Sequence, residues 1–311
     1  MSTLQNPRIE FLDLCQVFSQ TEPDIDFVLP GFIAGTVGVL SAPGSSGKSW
    51  WALEALCAVA GGLRADLLDL RPAAHGRVIY LCLEDLQIVL VKRLCKLREH
   101  FSDDVRALLL EQLHILPLAG QRIDMRKDRV RDWLAGLCTD ARLCVIDTLS
   151  RAHDADENDN SEMSQLLSNF EFVSSRTGCA ILLTHHVRKS GVGDGPAQQA
   201  ARGASALIDN ARWAAALNGM TEAESDSLVD PDYGPDQLNP MRIRERRGWY
   251  VKYTATKPNY SPPQTGDVWY RRAEGGVLVP ARLETLGVGG RSQYGAVKRA
   301  TAAWAGRPDK E

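Results

Sequence analysis

Nowhere in the 311 residues is there a run approaching the roughly 18 apolar residues of a membrane-crossing helix. Met1–Glu10 has no apolar stretch of the signal-peptide kind. No two of the seven cysteines form a Cys-x-x-Cys pair, and the six histidines show no zinc-ligand spacing. A membrane span, a disulfide framework and a zinc module are therefore not expected, and a reducing, cytoplasmic location is. A basic excess is also missing. The net charge is −3, so contact with a polyanion must rest on a local cluster of cations.

What is present is an apolar pattern in short blocks, with 44% hydrophobic residues, enough for a sizeable core. Thr36–Leu40 is β-rich and leads into a Gly/Ser loop. Ser49–Ala60 is then helical, closed by Gly61-Gly62. Val78–Leu83, Leu143–Ile146 and Cys179–Thr184 are continuous apolar runs of the buried parallel-strand kind. Helical spacing fills Asp85–His100, Lys127–Cys138 and Met163–Arg176, and His114–Leu116 is a short strand. Trp213–Leu217, Trp249–Thr254 and Val268–Arg272 follow as strands without long helices between them, with a hairpin turn at Glu274-Gly275-Gly276. The expected fold is α/β: a mostly parallel sheet with helices on both faces and an antiparallel extension at one edge. The expected organisation is a lead segment over residues 1–30, one domain over 31–286, and a mobile tail over 287–311.

The chemistry begins at Ala42-Pro43-Gly44-Ser45-Ser46-Gly47-Lys48-Ser49, set between a strand and a helix. Successive backbone N–H groups of such a loop point at phosphate oxygens, aided by the helix N-terminus. Pro43, Gly44, Ser45, Ser46, Gly47, Lys48 and Ser49 are the candidate nucleotide-binding residues, with Gly44 and Gly47 supplying the unusual backbone angles. Lys48, read as a loop residue, reaches the β- and γ-phosphates, and Ser49 ligates Mg²⁺. Ala42 stands where such loops usually open with Gly. The plain alternative is a Gly/Ser turn that happens to precede Lys-Ser.

Asp147 closes the strand Leu143–Ile146 and is the second candidate for the metal. Glu84 ends the strand after the first helix and is the candidate general base, leaving Asp85 as the N-cap of the helix Asp85–His100. His186, in the pair His185-His186, ends the strand Cys179–Thr184 and is placed to sense the γ-phosphate, although a strand-end histidine is often only a satisfied surface group. The Gly-rich stretch that follows carries Arg188, Lys189 and Arg202, candidates for DNA phosphates, unless it is a solvated linker. Arg212 and Lys257 are cations at strand ends. The acidic run Asp154–Asp159 lacks calcium-loop spacing and reads as a solvated loop that caps the next helix. Trp50-Trp51 reads as packing.

Taken together, the loop, Glu84-Asp85, Asp147 and the histidine-ended strand resemble the order of parts in RecA-fold P-loop ATPases. More closely, the chain resembles the RepA-type hexameric replicative DNA helicases of broad-host-range plasmids. The likeness runs over about residues 26–286, through Val28-Leu29-Pro30, Ala34–Gly38, Pro43–Ser49, Val78–Leu81, Ile146–Leu149, Thr177–Cys179, Arg202–Ser205, Asp209–Trp213, Lys257–Tyr260 and Gly275–Leu278. The resemblance implies ATP and Mg²⁺ as cofactors and a homo-oligomeric ring with sites between subunits. It implies Arg212 and Lys257 reaching the neighbour's site, with Arg212 as the arginine finger. It also implies single-stranded DNA in the channel and a replication initiator or primase as partner. Two rivals share the fold: a regulatory or recombination-mediator ATPase that does not unwind, and a small-substrate kinase, which would need a lid the sequence does not show.

Overall fold

Successive side chains of a strand point to opposite faces, and the central strands are buried along their whole length, so both faces of the sheet must be covered. The structure is a computed structural model, and it describes residues 11–155, 159–187, 205–232, 241–258, 260 and 267–285. Nine strands form one sheet: β1 (Val37–Ala42), β2 (Val78–Cys82), β3 (Leu113–Pro117), β4 (Leu143–Asp147), β5 (Ala180–His186), β6 (Trp213–Gly219), β7 (Tyr250–Pro258), β8 (Val268–Arg272) and β9 (Leu278–Ala281). Their spatial order is β9-β8-β7-β6-β1-β5-β4-β2-β3. The six strands from β3 to β6 run parallel. β7, β8 and β9 extend that sheet antiparallel at the β6 edge.

Helices cover both faces, so the parallel strands read as unbroken apolar runs. One face carries Leu40, Val78, Tyr80, Cys82, Val145 and Leu182. It is covered by α1 (Lys48–Gly61), α2 (Gln87–Arg98) and α3 (Asp103–Gln112). The other carries Val39, Ile79, Leu81, Ile146 and Leu183, covered by α4 (Asp128–Cys138), α5 (Asn160–Thr177) and α6 (Ser205–Asn210). The sequence-based layout therefore holds, with two of these helices missed, α6 and the longer α3. Its apolar residues Leu108, Leu109 and Leu110 are consecutive rather than spaced by a turn, and Leu110 is 85% exposed. Asp159 caps α5 as expected, accepting from the N–H groups of Ser161 and Glu162. Among the described residues no helix is long and apolar enough to cross a membrane.

α1 is almost wholly buried, and its one acid, Glu54, lies in the core at 0% exposure. Glu54 Oε1 accepts the backbone N–H of Leu278 at 2.9 Å, tying the antiparallel extension to α1. Burial pushes the Glu54 carboxyl well above its ordinary value, with the Leu278 N–H pulling the other way. A carboxyl raised in the folded state binds its proton more tightly there. Its contribution to stability is full below the ordinary value of 4.5 and is lost as pH rises through the folded value. Glu54→Gln keeps an acceptor for Leu278 and has no proton to lose. Its advantage over the natural chain should widen between about pH 5 and about pH 8 in urea denaturation. Glu54→Leu should instead cost about 1–3 kcal/mol by stranding the Leu278 N–H.

Candidate functional site

All the strand ends that matter converge on one edge of the sheet, the carboxyl ends of β1, β2, β4 and β5, where open α/β sheets bind ligands. Ala42 is level with His186, and Cys82 is level with Asp147. The same pleat that alternates the core puts Tyr80, Asp147, Thr184 and His186 on the α1 face. The loop after β1 turns into α1 through Ser45 (φ 66°) and Gly47 (φ 97°). The expected left-handed glycine at Gly44 is not found: that role falls to Ser45. Gly44 faces open space, with nothing within 4 Å of where a Cβ would stand.

Lys48 is the first residue of α1 and is 4% exposed, so it is a buried group and not the loop residue expected. Its Nζ lies 3.1 Å from Asp147 Oδ1. Asp147, 1% exposed, also accepts from Tyr80 OH at 2.6 Å and from Thr184 Oγ1 at 2.6 Å, and bonds the Ser49 hydroxyl. Burial alone would raise the Asp147 carboxyl. The Lys48 charge, then the hydroxyls of Ser49, Thr184 and Tyr80, outweigh it and hold the group below its ordinary value, so Asp147 is ionised.

On the other side of Lys48 stands His186, whose Nε2 is 3.2 Å from Lys48 Nζ and 3.0 Å from Glu84 Oε2. One ring nitrogen serves both neighbours, and not in the same protonation state. With its proton, Nε2 donates to Glu84. Without it, Nε2 accepts from Lys48. His185 turns to the opposite face, and burial, followed by the charges of Lys48, His186 and His153, lowers it to about 4, which keeps it neutral. The cleft has a volume of about 260 Å³ and is lined by Pro43, Ser45, Ser46, Gly47, Lys48, Ser49, Glu84 and His186 among others. Glu84 also borders a second cleft of about 410 Å³, beside Arg122 and Arg151.

Ser49 and Asp147 are hard oxygen donors in contact with each other, a donor set that suits Mg²⁺ completed by substrate phosphates and water. Among the described residues there is no cluster of three His, Cys, Asp or Glu that could hold a metal by itself.

Several sequence expectations change here. Asp85 is not the helix cap: α2 begins at Gln87 with Leu86 at the cap position, and Asp85 pairs instead with Arg93 at 2.5 Å. Trp51 packs as expected, stacked on Tyr253 with ring centroids 5.5 Å apart, but Trp50 lines the cleft with the Arg93 guanidinium 5.8 Å from its ring. Arg212 is exposed and makes no ion pair among the described residues. Its N–H bonds Val37 O, at the opposite end of the sheet from the loop. Lys257, level with Ala214 at that same end, donates to the carbonyls of Ile208 and Asp209 at 3.2 and 2.6 Å, the end of α6. Arg188, Lys189 and Arg202 lie outside the described residues. Sequence reasoning missed Tyr80, Thr184, Arg93 and Arg272. Tyr80 and Thr184 had a signal, since each shares the strand parity that faces α1.

A model of the AAA domain family matches residues 5–192, more than half of the chain. The chain is also similar to a solved structure of the RadB recombinase, with 16% identity and a TM-score of 0.47 over 79% of this chain and 90% of that one.

Removing the ammonium should be felt in the fold as well as in the chemistry. Lys48→Ala leaves Asp147 buried beside three hydroxyls with no countercharge, and stranding a buried charge costs about 3–5 kcal/mol where no other donors compensate. The three hydroxyls reduce that, so a loss of about 1–3 kcal/mol is expected in chemical denaturation. Unaltered stability would mean that the hydroxyls alone hold the carboxylate.

Proposed function

The chain belongs to the AAA domain family, and on that premise we propose that it is an ATP hydrolase working as a ring-forming motor on single-stranded DNA, a replicative helicase of the RepA type that its sequence resembles. The observation that carries the reading is the unbroken line Glu84–His186–Lys48–Asp147, with successive separations of 3.0, 3.2 and 3.1 Å, along the floor of a phosphate-loop cleft.

In this reading the backbone N–H groups of Ser45–Gly47 and the Lys48 ammonium hold the triphosphate. Ser49 and Asp147 hold Mg²⁺, which neutralises charge on the β- and γ-oxygens when bound. Glu84 takes the proton of the attacking water, and the 2.6 Å bonds from Tyr80 and Thr184 fix the Asp147 carboxylate so that Lys48 and Ser49 keep their places. His186 contacts both the base and the phosphate-binding lysine, so loss of the γ-phosphate changes which partner its Nε2 serves. Arg188, Lys189 and Arg202 contact the DNA strand.

The finger comes from a neighbour. β6 begins level with Gly38, and the phosphate loop follows Ala42. Four residues of strand, about 13 Å, separate the two levels. Arg212 therefore faces away from its own chain's cleft, and a ring closed head to tail would set it against the next one.

The test is ATP turnover with and without single-stranded DNA, paired with strand displacement and native mass. Stimulation, displacement and a closed oligomer are expected, with Glu84→Gln lowering turnover about a hundredfold or more while ATP still binds. Weak unstimulated turnover without displacement would make the chain a regulatory or recombination-mediator ATPase instead.

Subunit mixing tests the finger. Lys48→Ala and Arg212→Ala subunits should each be nearly inactive, since such a finger is worth about a thousandfold or more. Mixed, they form some interfaces pairing an intact loop with an intact Arg212, and partial turnover should return. No recovery in mixtures shown by native mass to exchange subunits would remove Arg212 from the mechanism.

A further inference from the structure

Arg272, the last residue of β8, points its guanidinium at the phosphate loop of its own chain. Nη2 donates to Ser45 O at 3.0 Å. A Cβ at Gly47 would stand 3.0 Å from Nη1 and 3.1 Å from Nη2. The side chain is partly buried and lines the cleft with Lys48, Ser49 and Trp50.

What sets Arg272 apart is its counter-ion. The adjacent Arg271 donates to Asp230 at 3.0 Å, and Arg93, across the cleft, donates to Asp85 at 2.5 Å. Arg272 makes no ion pair among the described residues. Partly buried cations normally pair, because taking the charge out of water costs several kcal/mol otherwise. A guanidinium has five N–H donors in a planar fork suited to phosphate, and one of Arg272's is used on a carbonyl. Burial lowers its pKa, as expected of a cation without its anion.

The position is built, not accidental. The turn after β8 is seated on two helices: a Cβ at Gly276 would lie 2.8 Å from Trp50 Nε1, and one at Gly275 would lie 2.7 Å from Lys96 Cγ. Gly275 and Gly276 also have φ of 79° and 105°, so this close turn requires glycine twice. Beyond it, Leu278 is tied to the buried Glu54. The segment that follows Arg272 is thus fixed to Trp50, Lys96 and Glu54, which holds the end of β8 beside the loop.

We propose that Arg272 is a nucleotide ligand in cis, binding the α,β-diphosphate portion of the nucleotide beside Ser45 and Gly47. The assignment follows from where it sits. Loop N–H groups cradle the α- and β-phosphates while Lys48 serves the β- and γ-phosphates, and Arg272 touches Ser45 and Gly47. The inference rests on the nucleotide-site reading above.

The test is fluorescence anisotropy of N-methylanthraniloyl-labelled ADP and ATP on the full chain, with melting curves for every variant. Arg272→Ala should weaken both nucleotides about tenfold or more, by similar factors, because both carry the diphosphate. Arg272→Gln retains a donor for Ser45 O but no charge, and should be as weak as Ala. Arg272→Lys should recover part of the affinity. If Gln binds like the natural chain, Arg272 only shapes the loop and the proposal falls. It falls too if Lys48→Ala loses binding while Arg272→Ala keeps it. Should Arg272→Ala fail to fold, the other pair decides: Lys about fivefold tighter than Gln supports the proposal, and equal binding overturns it. If the natural chain binds neither nucleotide, the site reading itself is wrong, which distinguishes that failure from the others.

Discussion

The buried ion pair between Lys48 and Asp147 is the constraint on which the rest of the site depends. Two charges at 4% and 1% exposure stand 3.1 Å apart under a helix with no other charged side chain in its first turn. Such a pair is not a natural source of stability, since desolvation offsets much of its attraction. It persists because the carboxylate is saturated: Tyr80, Thr184 and Ser49 supply three hydroxyls in addition to the ammonium. Each of those donors comes from a different element, β2, β5 and α1. The pair therefore requires the strand order, with β5 between β1 and β4 and with β2 beyond β4. A different order would leave a buried carboxylate with too few donors.

The sheet also separates two kinds of cation by direction. At the carboxyl ends of the parallel strands stand Lys48 and Arg272, both turned toward the chain's own loop. At the other ends, far from that loop, stand Arg212 and Lys257. Antiparallel pairing is what makes this possible for Arg272 and Lys257. β7 runs against β6 and delivers Lys257 to the far end, and β8 reverses again and delivers Arg272 to the near end. On the proposed function one set of groups holds the chain's own nucleotide and another reaches a neighbour's, and one hairpin-built extension would supply a member of each. Lys257 is occupied in its own chain by the carbonyl end of α6, where a cation is favoured, so Arg212 is the freer of the two.

Much of this was legible from residues alone because it is local. The loop is contiguous, and Asp147, Glu84 and His186 each end an apolar run, so their convergence follows once the runs are parallel strands. Tyr80 and Thr184 were within reach by counting in twos from Cys82 and His186. Asp85 was misread because an acid just before a helical pattern has the composition of a cap. Here the helix starts two residues later, and Arg93, two turns along α2, takes the carboxylate. Arg272 had no local signal at all. It follows Arg271 in a strand where both look like surface cations, and only the pairing of β8 with β7 and the seating of its turn on Trp50 and Lys96 turn one toward Asp230 and the other toward the loop.

His186 carries the argument one step past placement. Its Nε2 stands between Lys48 and Glu84, and it donates to the carboxylate when it carries the proton and accepts from the ammonium when it does not. While Nε2 donates to Glu84, that carboxylate is oriented by the histidine and Lys48 is left to Asp147 and the substrate. While Nε2 accepts from Lys48, Glu84 loses the donor that orients it and has the second cleft at its other side. On the proposed function, charge on bound phosphates would compete with His186 for the lysine, so the number of phosphates in the cleft would bias the choice. On that reading a change at the substrate's end would become a change in the orientation of Glu84, and Val187, the next residue after His186, is bonded through its N–H to Ala42 O at the mouth of the loop. Asp147, Lys48, His186 and Glu84 thus stand in one line beneath the loop, with no separation longer than 3.2 Å.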